Sequence, residues 1–158
     1  MMRKIISILT LVSNCVTVCA ATESNWLSSD YVVMTSFHVE EVTNLAHPVC
    51  TLNLESNKDK DSYNYVEGGI CPAGKPTGKE TCAYSAIIEL NHKIIIAKQV
   101  SSGKDTAIFK NKDVTIITRK MSINSETIDD EGEDVKYSIT IKTKGSESIE
   151  NMFGYCGI

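Results

Sequence analysis

The residues whose types and spacing could do chemistry are few in this 158-residue chain: six cysteines, three histidines, and two acidic clusters. Cys15 and Cys19 fall inside an N-terminal leader and leave with it. Cys50, Cys71, Cys82 and Cys156 remain. An even count in an exported chain reads as two disulfides. A zinc site is poorly supported, because no pair has CxxC spacing and no histidine pair follows. Three connectivities are open. Cys71–Cys82 and Cys50–Cys156 are favoured. The first would close the neck of a loop full of turn formers, Pro72 to Gly78, and the second would tie the last strand to an early one.

The histidines carry little. His38 lies on the polar face of an expected strand, His47 precedes a proline in a turn, and His92 occupies a hairpin turn. The chain has no GxSxG elbow, no HExxH and no glycine-rich phosphate loop. With its four mature cysteines paired it has no thiol nucleophile. No catalytic residue, metal site or cofactor is expected, and a hydrolytic enzyme without a recognisable motif is the least favoured reading. Asn57, Asp59 and Asp61 have the spacing of a calcium loop, but Ser62 stands where glycine is needed and Gly68 where a bidentate glutamate is needed.

Asp129, Asp130, Glu131, Glu133 and Asp134 form the second acidic cluster. It lies in a polar connection, Ser122 to Asp134, with Gly132 expected to turn it sharply. Unpaired carboxylates are costly to bury, and a connection this long is more than a hairpin needs. These five residues are the expected contact with a cationic protein partner, since exposed charge steers association. The charge map agrees: residues 71–121 hold nine bases and four acids, whereas 122–158 hold three bases and eight acids. Adjacent cationic and anionic strands that neutralise one another would account for the same pattern. An alternative function places an apolar ligand inside a barrel, with Tyr63, Tyr65 and Tyr84 at its mouth.

The elements that must position these residues are strands. Arg3 and Lys4, an interrupted apolar core and Ala20 make residues 1–20 a secretory signal peptide, leaving 21–158 as one domain. Loss of those two bases takes the net charge from −4 to −6, which argues against nucleic acid. No second apolar run is long enough for a membrane span. From Cys82 to Met121, β-branched bursts are parted by Asn91-His92, by Ser101 to Asp105 and by Asn111 to Asp113. That is hairpin upon hairpin. Tyr31–Val42 and Val49–Glu55 alternate, Tyr63–Val66 is a short strand ended by Gly68-Gly69, and Ile94, Ile96 and Val100 can share a face. Tyr137, Ile139 and Ile141 point inward in the cleanest alternation of the chain. Ile149–Cys156 can form the last strand.

The expected fold is all-β: an antiparallel barrel or sandwich of eight or nine strands, stapled by two disulfides. The expected protein is secreted or periplasmic. It binds another protein without catalysis, as an inhibitor, immunity factor or surface effector.

Overall fold

Turn formers between β-branched runs produce a meander that closes on itself. The computed structural model describes residues 32–72, 81–121, 128–129 and 132–157, the pair 128–129 by its backbone. The expected signal peptide lies outside the described residues. The strands are β1 (Met34–Thr35), β2 (Leu45–Leu54), β3 (Tyr65–Ile70), β4 (Ala83–Leu90), β5 (Lys93–Ser102), β6 (Thr106–Lys110), β7 (Thr115–Met121), β8 (Ile128–Asp129), β9 (Gly132–Lys142) and β10 (Glu147–Gly157). Eight of them form a ring. β2 to β7, β9 and β10 each pair antiparallel with the next, and β10 returns to β2. The barrel is therefore the answer to barrel or sandwich. Two short strands lie off the ring, β1 on β4 and β8 on β9.

Alternation fixes what faces inward. Leu90, Ile95, Val114 and Ile141 fill one end of the interior, with Leu52, Ile88, Phe109, Ile116, Ile139 and Met152 above them. Tight turns join the strands at this closed end. At Asn91 and His92 φ is 49° and 58°, the doubly positive pair that a two-residue hairpin favours. At Thr143–Ser146 the Thr143 N–H donates to the Ser146 carbonyl at 2.9 Å. Val32 and Met34 pack against the interior cluster from this same end.

The segment before β2 is where the sequence reading differs most. The strand expected over 31–42 shrinks to Met34–Thr35. Val39–Glu41 winds instead into a 3-10 turn, because the Glu41 carboxylate reaches back to accept the His38 N–H at 2.8 Å, as a capping side chain does. This arm buries Phe37 and Val42 on the outer wall against Val66 and Ile87. That outer cluster also takes in one face of β5. Ile94 and Ile96 do share a face, but it is the outer one; Ile95 and Ala97 point inward, and Val100 is exposed. β3 also runs through Gly68 and Gly69 rather than ending there. A Cβ on Gly68 would come within 2.7 Å of Leu45, so glycine lets the bulged start of β2 lie close.

Both favoured disulfides are present. Cys50 and Cys156 face each other across β2 and β10, and Cys71 and Cys82 extend the β3–β4 pair, each with Cα atoms 4.1 Å apart. Antiparallel pairing puts both bridges at the same end of the barrel, opposite the tight turns.

Candidate functional site

At that stapled end the inward-facing side chains change character. Near the closed end they are branched and large. Nearer the staples they become Ala86 on β4, Ala107 on β6, Thr118 on β7 and Gly154 on β10. Ala86 pairs with Glu67 and Ala97, and Ala107 with Thr118. Of these, Ala107 and Thr118 border space that larger side chains would fill. The result is an open cavity of about 380 Å³, bounded by Glu67, Tyr84, Gln99, Thr118, Lys120 and Tyr137 together with the β5–β6 turn. Eight strands enclose just enough room either for packed side chains or for one small ligand. This barrel does the first at one end and leaves space for the second at the other.

Glu67 is the centre of the site. It lies two residues after Tyr65 on β3, so both side chains face inward. The residue is 6% exposed. The Tyr65 hydroxyl donates to Oε1 at 2.6 Å and the Tyr84 hydroxyl donates to Oε2 at 2.8 Å. Tyr84 reaches it diagonally from the neighbouring strand, where it stands opposite Gly69. Among the described residues Glu67 belongs to no ion pair. Burial pushes its carboxyl above the ordinary range, and the two tyrosine hydrogen bonds oppose that shift. Burial, then the Glu67 charge, holds Tyr65 and Tyr84 well above the usual phenol value. Tyr137 is pushed up to about 12, by burial first and then by Glu67 and Glu133. The tyrosines are thus neutral donors at physiological pH, and their rings and hydroxyls surround one carboxylate.

Higher in the mouth, Lys120 on β7 is paired with Glu133 on β9. The Lys120 N–H also donates to the Asp105 carbonyl at 2.8 Å, which ties the β5–β6 turn to the wall. The Tyr137 hydroxyl lies 3.9 Å from Cys156 Sγ, so the Cys50–Cys156 bridge borders the site. Two further depressions, of about 440 and 310 Å³, lie at the closed end among the turns. Neither is lined by Glu67 or by any of the three tyrosines that surround it.

The expected site residues divide. Of the three tyrosines, Tyr84 lines the cavity and Tyr65 lies buried beneath it, bonded to Glu67. Tyr63 packs with the outer cluster instead, bridged to Phe37. Of the acidic five, Asp130 and Glu131 lie outside the described residues. Asp129 sits in β8, a two-residue strand whose partners are Gly132 and Glu133. Glu133 and Asp134 belong to β9, opposite Cys156 and Tyr155. Gly132 is likewise a strand residue, and a Cβ there would run into the Tyr155 ring. In the Asn57–Asp61 turn, Asn57 Oδ1 accepts the Asp59 N–H and Asp59 Oδ1 accepts the Asp61 N–H; the Asp61 hydrogen bond holds the Asp59 carboxyl below its usual range.

Sequence reasoning missed Glu67, Thr118, Lys120 and Tyr137 as one site. A signal for Glu67 was present, a lone acid on the same strand face as Tyr65.

The chain matches no protein-family model, no curated protein and no solved structure. Fold and site define an up-and-down antiparallel barrel, filled at one end, with a disulfide-stapled polar mouth at the other. The two disulfides fit an oxidising compartment. No helix among the described residues is long and apolar enough to cross a membrane.

Proposed function

We propose that this is an exported, non-catalytic barrel that binds a small polar molecule in its mouth. One observation carries the reading: a nearly fully buried carboxylate, held by two tyrosine hydroxyls, faces an open cavity of about 380 Å³. A buried charge without a partner charge lowers stability, and an apolar side chain of similar size would pack there at less cost. Convergent polar groups at the base of a concave site are what ligand recognition requires. The leader and the disulfides support secretion or a periplasmic location.

The reading is tested by amide chemical shifts of the mature protein against a mixture of small polar fragments. Shifts should concentrate on Glu67, Tyr84, Gln99, Thr118 and Tyr137. Perturbations confined to the outer wall would refute it.

A second reading, a protein partner, is favoured by the outer face of β10. Ile149, Phe153 and Tyr155 are 64%, 43% and 42% exposed on it, more large apolar surface than one strand usually shows water. Lys136 lies over the Phe153 ring at 4.8 Å, and Asp134 stands opposite Tyr155. If a cationic partner docks here, converting Asp129, Asp130, Glu131, Glu133 and Asp134 to amides should slow its association at low salt. Association at the unchanged rate would remove the acidic cluster from the interface.

A further inference from the structure

Resting on the ligand-binding reading, we infer that the mouth selects an organic cation, a primary ammonium or guanidinium on a short carbon chain, with Glu67 as its counter-charge. The argument begins with the placement of charge. Among the described residues that line the cavity, Glu67 is the most buried charged one. A carboxylate offers about four lone-pair positions, and the two tyrosines occupy one on each oxygen. Two positions remain for a ligand's N–H donors.

The other charges do not compete for that role. On β7, Lys120 is committed to Glu133 of β9. On the β5–β6 turn, Lys104 and Asp105 both line the rim and carry opposite charges. Among the described residues five charged groups therefore face the mouth, with a net of one negative charge, and the unbalanced one is Glu67. An anion would be repelled from the base of such a site. A neutral ligand would leave the buried carboxylate without a partner, the costly state for a charge removed from water.

The neutral groups point the same way. Tyr84 and Tyr137 bring phenol rings to the same cavity, and aromatic rings attract cations, more strongly where water is excluded. Ala107 and Thr118 offer small, weakly polar wall on the far side, suited to a few methylenes. A divalent metal fits poorly. Hard cations need several oxygen ligands, and no cluster of three metal-ligating side chains occurs among the described residues.

The test compares four probes of one shape on the mature full-length protein: butylammonium, butylguanidinium, butanol and butyrate. Binding is read by calorimetry and by amide shifts. Probes of this size reach millimolar affinity at ordinary ligand efficiencies. Both cations should bind with shifts at Glu67, Tyr84 and Tyr137, at least tenfold more tightly than butanol, and butyrate should not bind.

Glu67→Gln keeps the shape and an acceptor for a tyrosine hydroxyl. It should weaken the cations at least tenfold and leave butanol unchanged. Should that variant fail to fold, the wild type supplies the same contrast. Cation affinity should fall as pH drops through the Glu67 titration, while butanol affinity stays flat. Butanol or butyrate binding in the cavity as tightly as the cations would overturn the inference and leave the ligand-binding reading standing. No shift at the cavity with any of the four at millimolar concentration would overturn both.

Discussion

Removal of the Tyr65 hydroxyl is the sharpest perturbation of the Glu67 site. Tyr65 is fully buried, and its hydroxyl donates at 2.6 Å to a carboxylate that has no ion pair among the described residues. Hydrogen bonds to charged groups contribute about 1.5–3 kcal/mol, and neutral ones about 1 kcal/mol. Tyr65→Phe should therefore destabilise by about 2 kcal/mol where Glu67 is ionised. Tyr84 donates at 2.8 Å from a half-buried position, where water can partly replace the lost donor. Tyr84→Phe should cost about 1 kcal/mol. The difference is tied to charge. When Glu67 is protonated, the Tyr65→Phe cost should shrink toward that of a neutral hydrogen bond. The larger loss from the ionised form also means that Glu67 titrates higher in the variant than in the wild type. Urea unfolding of wild type and both variants at acid and neutral pH measures all of this. A Tyr65→Phe cost that is the same at both pH values, or no larger than that of Tyr84→Phe, would refute the idea that the pair of phenols holds a charged carboxylate.

Three more outcomes follow from the same geometry. Cys50–Cys156 closes 106 residues and Cys71–Cys82 closes 11; chain entropy puts their removal at about 4.8 and about 2.8 kcal/mol, so paired alanine variants should differ by about 2 kcal/mol in denaturant. Gly154→Ala places a Cβ 2.8 Å from Leu52 Cα, against backbone that cannot step aside without parting β10 from β2, and should cost about 3 kcal/mol or more. Burial raises Glu67 above 4.5, so the folded chain binds this proton at a higher pH than the unfolded chain. Stability should therefore fall as pH rises from about 4.5 through the raised value, by at most about 1.4 kcal/mol per unit. That contribution to the slope should be absent in Glu67→Gln, when the unfolding free energies of the two proteins are compared point by point.

The barrel was legible because its strands obey one rule. Period-two alternation in 84–90 and 135–141, with turn formers between apolar runs, leaves few arrangements other than a meander. Cys50 on the first ring strand and Cys156 near the end of the last then suggest closure. Alternation alone could not say which face of 94–97 was inner, because both are apolar; Ile94 and Ile96 share the outer one, and Ile95 and Ala97 fill the interior. It also could not separate a strand from an arm. Phe37 and Val39 alternate with polar residues because they face the outer wall, where Phe37 makes a single bridge to Tyr63 rather than a strand ladder. The site was less legible for a different reason. Glu67, Tyr84, Thr118 and Tyr137 come from four strands, and only closure brings them together. Each alone looks ordinary: an acid near a glycine pair, a tyrosine after a cysteine, a threonine among isoleucines. What marks the cavity is a deficit, small side chains where larger ones would fill the interior, and that is invisible until the register between strands is known.

The placement of the two disulfides follows from the same deficit. At the closed end, branched side chains fill the interior and tight turns join most of the strands, so packing holds them. At the mouth, Ala107 and Thr118 border open space, and the wall receives less support from within. Both staples lie there. One joins β2 to β10, the seam where the ring closes, in register with Glu67 on one side and Glu133 on the other. The other clamps β3 to β4, the two strands that carry Tyr65, Glu67 and Tyr84. A site that must keep two phenols within hydrogen-bond reach of one carboxylate has little tolerance for wall motion, because preorganised groups lose less on binding. Covalent bonds supply at the mouth the rigidity that packing supplies at the closed end. Loss of either staple should therefore loosen the mouth before the closed end, and amide exchange should rise first at Glu67 and Tyr84 and last at Ile88 and Ile139.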